Sequence, residues 1–147
     1  MNFISSAQRA YLAGFLDGDG SIYVRLKPNP TYRYGFQVAP YIVLFQSSKD
    51  RLNFEKICNL IGLGYIRDRK DGILEYIINK QDSIYKLIEI VNPNLVLKKE
   101  QARLIKKILE QKKQVKNKKD FKKLMNLIEQ FRNLNYSKKR KIRILTP

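Results

Sequence analysis

Histidine is absent from this chain. That excludes Ser-His-Asp and Cys-His nucleophilic catalysis, and His-ligated zinc, within one chain. Cysteine is nearly absent. Cys58 alone cannot form an intrachain disulfide, and its place in the apolar-patterned NFEKICNLIGL suits a buried small residue rather than a nucleophile. A lone cysteine fits a reducing compartment. No apolar run approaches the roughly 18 residues of a membrane-spanning helix, so no membrane partner is expected. The start, MNFISSAQRA, has no basic stretch followed by a long apolar one and does not read as a secretory signal. Acidic residues are also scarce: 13 Asp+Glu stand against 30 Lys+Arg, a net charge of +17. The first 49 residues hold only two of these acids, Asp17 and Asp19. Any catalysis must draw on carboxylates, Lys, Arg, Tyr, Gln or a hard metal ion.

What is present is an apolar fraction of 44% in 147 residues, enough for one packed domain. The positive excess points to a polyanion, of which nucleic acid is the commonest. It is uneven: residues 98–147 hold 18 Lys/Arg and 4 Asp/Glu, or +14 of the total. The core is expected over about residues 5–110, with a basic helical extension over about 111–147.

Periodicity gives the order of elements. Residues 5–17 read as a helix, with Ser5 and Gln8 at capping-box spacing. Leu12, Phe15 and Leu16 form a bulky stripe, and Ala10, Ala13, Gly14 and Asp17 a small one. A mid-helix glycine costs about 1 kcal/mol, so the small stripe predicts close approach of another backbone, internal or across a dimer. Gly20 ends the helix, and residues 21–27 alternate as a strand. PNPTY makes a turn, and residues 33–45 form a second strand. Residues 49–61 are helical, residues 65–69 and 74–78 form a hairpin around Lys70-Asp71-Gly72, and residues 81–91 are a helix stopped by Asn92-Pro93. From Lys98 onward the chain is helical. The fold class is therefore α+β, in the order αββαββα. It implies a four-stranded antiparallel sheet with helices on one face and a basic helical extension.

If helices cover the Ile22/Val24/Phe36/Val38 face, the other face carries Tyr23, Arg25, Lys27, Arg33, Gln37, Arg67, Arg69 and Glu75, with Tyr41, Val43 and Ile77 among them. Arg suits guanine edges, Gln adenine, Glu cytosine, and apolar groups thymine methyls. A twisted β-ribbon fits the major groove of DNA, whereas ordered A-form RNA hides its own.

The two early aspartates sit at a helix C-terminus, where the terminal carbonyls repel anions by about 0.3–1 kcal/mol. Turn chemistry explains one Asp-Gly. A bound cation explains two, because carboxylate and carbonyl oxygens converge there and suit Mg²⁺. An EF-hand is excluded, since Ser21 and Pro28 stand where further acids would be needed. Water and phosphate oxygens would complete the shell, as in metal-dependent phosphodiester hydrolysis.

LAGFLDGDG at residues 12–20 resembles the signature of the LAGLIDADG homing endonucleases, in their single-motif, homodimeric, intron-encoded group. The likeness extends through DGDGSI, the strand ending at Gln46, GLGYIRDR at residues 62–69 and LKKEQA at residues 97–102. It implies a Mg²⁺-dependent enzyme that cuts both strands of a pseudo-palindromic double-stranded DNA target of roughly 20 bp, one half-site per subunit. Asp19 would hold the metal with the Gly18 carbonyl, Gln46 would orient water, and Lys98 would stand near the scissile phosphate. Ala10, Ala13 and Gly14 would line the dimer seam, where Asp17 caps or packs. The base-reading saddle would comprise residues 23–27, 37–43, 67–69 and 75–77, with Ser137, Lys138 and Lys139 on the DNA backbone. One departure stands out. The basic residue expected four positions after the glutamine is Asp50, flanked by Lys49 and Arg51, of which Arg51 is the preferred substitute. The alternative is the same scaffold without cleavage, either an intron-RNA maturase or a DNA-binding regulator. A basic ribosomal or RNA-structural protein is a further rival. The Lys- and Ile-rich composition hints at an A·T-rich organelle genome, chloroplast or mitochondrial.

Overall fold

The computed structural model describes residues 3–135. Helix α1, Ser6–Asp19, starts at the predicted box: the Ser5 hydroxyl accepts from the Gln8 amide and the Gln8 side chain accepts from the Ser5 amide. It runs two residues past the expected end, so Asp19 closes it and the Gly20 amide caps back to the Leu16 carbonyl. Strands β1 (Gly20–Pro28) and β2 (Phe36–Ser47) follow, then α2 (Arg51–Ile61), β3 (Tyr65–Asp68), β4 (Ile73–Ile78), α3 (Gln81–Val91), α4 (Lys99–Lys113) and α5 (Lys118–Asn133). The four strands form an antiparallel sheet in the order β1-β2-β4-β3. The predicted αββαββα order and its helical extension are both present.

Alternation decides which side of the sheet is covered. Ile22, Val24 and Leu26 of β1, Val38, Ile42 and Leu44 of β2, and Leu74, Tyr76 and Ile78 of β4 join one apolar cluster with the helices. Leu12 and Leu16 enter it from α1, Phe54, Cys58 and Ile61 from α2, and Phe121, Leu124, Ile128 and Phe131 from α5. Ala39, Val43 and Ile77 are equally buried but lie outside that cluster. They belong to the opposite face.

Polar contacts bind the layers. The Tyr76 hydroxyl accepts the Leu63 and Gly64 amides at 2.9 and 2.7 Å, fixing the turn into β3. A side chain at Gly64 would drive its Cβ to 2.2 Å from the Ile77 carbonyl oxygen, so only glycine fits this close strand approach. Lys112 Nζ donates to the Val38 carbonyl at 3.0 Å, and Asn135 Nδ2 to the Ile22 carbonyl at 3.4 Å. Burial lowers the Lys112 pKa. No helix among the described residues is long and apolar enough to cross a membrane.

Candidate active site and nucleic-acid interface

The helix-free face of the sheet is built in rows. Lys27 pairs with Gln37, Arg25 with Ala39 and Tyr23 with Tyr41. Further along, Ser21, Val43, Ile77 and Tyr65 lie abreast, as do Phe45, Glu75 and Arg67. The Tyr23 and Tyr41 rings stack at 5.0 Å, and the Arg25 guanidinium lies 5.8 and 5.7 Å from their centres. Lys27 Nζ is 5.3 Å from the Tyr41 ring. Burial raises the Tyr23 pKa, so its hydroxyl keeps its proton and remains a donor. The β1–β2 half thus holds its cations on aromatic faces. The β3–β4 half uses acids: Arg67 Nε lies 3.9 Å from Glu75, and Arg69 binds Asp71 at 2.6 Å.

Arg33, expected on this face, lies elsewhere, and Val43 and Ile77 are on it but buried. Arg33 is not in a strand, because the turn extends to Gly35, whose φ of 82° closes it before β2 begins. Its guanidinium donates to the Lys116 carbonyl at 3.3 Å and lies over the Tyr34 ring. Ile77 is on the face but only 7% exposed, which makes it floor rather than contact. Ser137, Lys138 and Lys139 lie outside the described residues.

The end of α1 brings the chemistry together. Asp19 is exposed and has no hydrogen-bond or ion-pair partner among the described residues. Gly20 pairs with Leu44, so α1 ends where β1 joins β2, and Gln46 lies two residues further along β2. The Gln46 Oε1 accepts the Ser47 amide at 2.9 Å, which leaves its amide nitrogen free to donate. Lys98, just before α4, reaches α1 from the other side: its Nζ donates to the Asp17 carbonyl at 2.7 Å. Arg51 is occupied by Glu55 at 3.5 Å and by Asp68 at the end of β3. Lys49 has no acidic partner among the described residues and is the freer of the two cations flanking Asp50.

The donor set fits a hard divalent cation. The Asp19 carboxylate is unengaged, and the Gly18 carbonyl lies in the last helical turn, where no intrahelical N–H faces it. No group of three or more His, Cys, Asp or Glu converges among the described residues. One chain therefore supplies too few oxygens, and phosphate, water or a second chain must add the rest. Cys58 takes no part. It is buried, and burial pushes its thiol from 9.0 up to about 12.

The small stripe on α1 needs redrawing. Ala13 is fully buried in the chain's own core, and Asp17 points inward to residues 96–98. The exposed stripe is Ala7, Ala10, Tyr11, Gly14 and Gly18. Helical spacing alone could have found it, had both glycines been assigned to one face. Cβ atoms built at Gly14 and Gly18 meet nothing within 4 Å. Packing within the described residues therefore requires neither glycine.

The LAGLIDADG endonuclease model matches residues 12–109, from the motif helix through α4's core stripe. The chain belongs to the LAGLIDADG endonuclease family. Within the family it is 37% identical over 132 residues to the DNA endonuclease I-CreI of Chlamydomonas reinhardtii, spanning 89% of this chain and 80% of that protein. It is 33% identical over 119 residues to I-CvuI of Chlorella vulgaris, spanning 81% and 72%. The I-CvuI crystal structure with the I-CreI target and magnesium superposes with a TM-score of 0.86 at 29% identity, over 92% of this chain and 87% of that one. An I-CvuI complex with its own target and calcium gives 0.85.

Proposed function

We propose that this LAGLIDADG chain is one subunit of a homodimeric homing endonuclease that makes a double-strand cut in a long pseudo-palindromic DNA site. The observation that carries the proposal is the unpartnered Asp19 carboxylate at the end of α1, two residues beyond the carbonyl that Lys98 binds and adjoining an open, cation-bearing sheet. The sheet face docks in the major groove, where Arg25, Lys27, Gln37, Arg67 and Arg69 can read base edges or meet phosphates. Asp19 and the Gly18 carbonyl would hold a divalent ion, Mg²⁺ in the cell, which would supply Lewis-acid activation and charge neutralisation at the phosphate. Gln46 orients a water by its amide, and Lys98 offsets charge on the phosphate. I-CreI and I-CvuI are DNA endonucleases, and I-CvuI has been crystallised on DNA with magnesium and with calcium.

The dimer is supported by α1. Two glycines on one uncharged face, each costing about 1 kcal/mol in a helix, make sense when another backbone approaches there. A second copy of α1 is that backbone, and the two Asp19 residues then stand near the two scissile phosphates. A chloroplast or mitochondrial intron as the source is part of the same proposal.

The test is incubation of wild type and Asp19→Asn with Mg²⁺ and a randomised duplex library. Metal-dependent double-strand cuts by wild type alone are expected. DNA bound by both proteins and cut by neither would establish a non-cleaving scaffold instead.

A further inference from the structure

Lys98 donates to Asp17 twice, once from its backbone to the Asp17 side chain and once from its side chain to the Asp17 backbone. The Asp17 carboxylate accepts three successive backbone amides, Val96 at 2.8 Å and Leu97 at 3.2 Å on Oδ2, and Lys98 at 2.9 Å on Oδ1. Consecutive N–H groups converging on one anion form a cradle, and the positive end of α4 stands behind it. Lys98 is the N-cap of α4 yet makes no side-chain cap of its own, so an acid from a distant helix supplies that charge. In return Lys98 Nζ donates to the Asp17 main-chain carbonyl, placing a cation at the negative end of α1. The anion thus lies at a helix start, the cation at a helix end, and each comes from the other element. Asp19 follows two residues later, on the same last turn of α1.

We propose that Asp17 is a positioning residue that sets Lys98 against the site marked by Asp19, so that the basic group and the metal-holding carboxylate move as one body. The proposal rests on the endonuclease reading given above. It makes Asp17 neither a metal ligand nor a residue of the dimer seam. Asp17→Asn keeps the shape but loses the charge, and its amide sets N–H groups against the backbone N–H groups of the cradle. The turn before α4 would then loosen, and Lys98 with it.

Amide hydrogen exchange and the Lys98 side-chain Cε signal, followed by NMR in wild type, Asp17→Asn and Asp17→Ala, test the clamp without any cleavage. The amides of residues 96–98 should be protected in wild type and exchange at least about 10-fold faster in both variants, while those of β4 stay unchanged. Lys98 Cε should shift in the same variants. Unaltered protection and an unmoved Lys98 signal would overturn the proposal. Single-turnover cleavage, on a duplex recovered from the library above, tests the consequence. Asp17→Asn should be slower by about 10- to 100-fold, with duplex affinity in Ca²⁺ unchanged. Asp17→Asn combined with Lys98→Gln should be no slower than Lys98→Gln alone. Additive losses would overturn the coupling, because two independent groups add. A wild type that cuts no duplex would refute the endonuclease reading, and the exchange data would then decide the clamp by themselves.

Discussion

Helices α1 and α5 solve the same problem on their inner sides and opposite ones on their outer sides. Each buries a stripe of large apolar residues: Leu12 and Leu16 in α1, and Phe121, Leu124, Leu127, Ile128 and Phe131 in α5. The outer side of α5 presents Lys118, Lys119, Lys122, Lys123, Asn126, Glu129 and Gln130, a surface finished for water or a polyanion. The outer side of α1 presents the stripe Ala7, Ala10, Tyr11, Gly14 and Gly18, uncharged until Asp19 at the helix end. In a chain with 43 charged residues among 147, an exposed uncharged helix face is one not meant to stay in water. The contrast separates a helix finished for water from one that, in the proposed dimer, meets a second copy.

Breaking that contrast should have its largest effect at Gly14. Gly14→Arg gives the α1 face the charge that α5 already has. It should leave a folded monomer by sedimentation and circular dichroism, with cleavage reduced by at least about 100-fold. A dimer that survives the change would remove α1 from the seam. On the inner side, Leu16→Ala should cost about 2–5 kcal/mol in urea unfolding, a loss of fold rather than of assembly.

Cys58 on α2 probes the same interior by pH. The unfolded thiol ionises from about 9, whereas the folded one keeps its proton until about 12. The unfolded state therefore gives up its proton first, and stability falls as pH rises through that window. Urea midpoints of wild type and Cys58→Ala, compared from pH 8 upward, should show a shallower decline in the variant. Gly14→Ala sharpens the contrast further. At protein concentrations too low for dimers, it should stabilise the subunit by about 1 kcal/mol, because its Cβ enters open space. At high concentration the gain should shrink or reverse. The smallest effect belongs to α5. Lys122→Gln with Lys123→Gln should change stability by less than about 0.5 kcal/mol.

The sequence made the order of elements legible because alternation and helical spacing are local properties, and Ser5 with Gln8 announces a helix start in any context. The motif singled out Asp19 by its neighbours alone, and the fold leaves its carboxylate exposed and unengaged among the described residues. Three assignments failed for want of the third dimension. Ala13 shares a small-residue stripe with Ala10 and Gly14, but size does not say which way a residue turns, and the neighbouring core took it. Arg33 follows a turn signal closely enough to look like a strand start. The Asx-type contact of Thr31 with Asn29 and the positive φ of Gly35 prolong that turn past it. Ile77 alternates correctly, yet its burial decides whether it can be touched. The partner of Asp17 was out of reach altogether, since residues 96–98 are joined to it only by the fold.

The contacts of Lys112 with the Val38 carbonyl and of Asn135 with the Ile22 carbonyl have a consequence for handling the protein at high concentration. β4 reaches only as far as Ile42, so the stretch of β2 from Phe36 to Tyr41 is unpaired on that side. Residues two apart show their backbone to the same side, so the carbonyl that Lys112 covers is next to Pro40, which has no N–H to offer. On the far side of the sheet Asn135 covers a β1 carbonyl, and β3 is four residues long with Arg67 and Asp68 exposed. A sheet that must keep one face bare for a ligand would ordinarily invite other sheets to add on strand by strand. Here the β2 and β1 rims each have a carbonyl taken by a side chain and the β3 rim is short and charged, which opposes such growth while the face stays open.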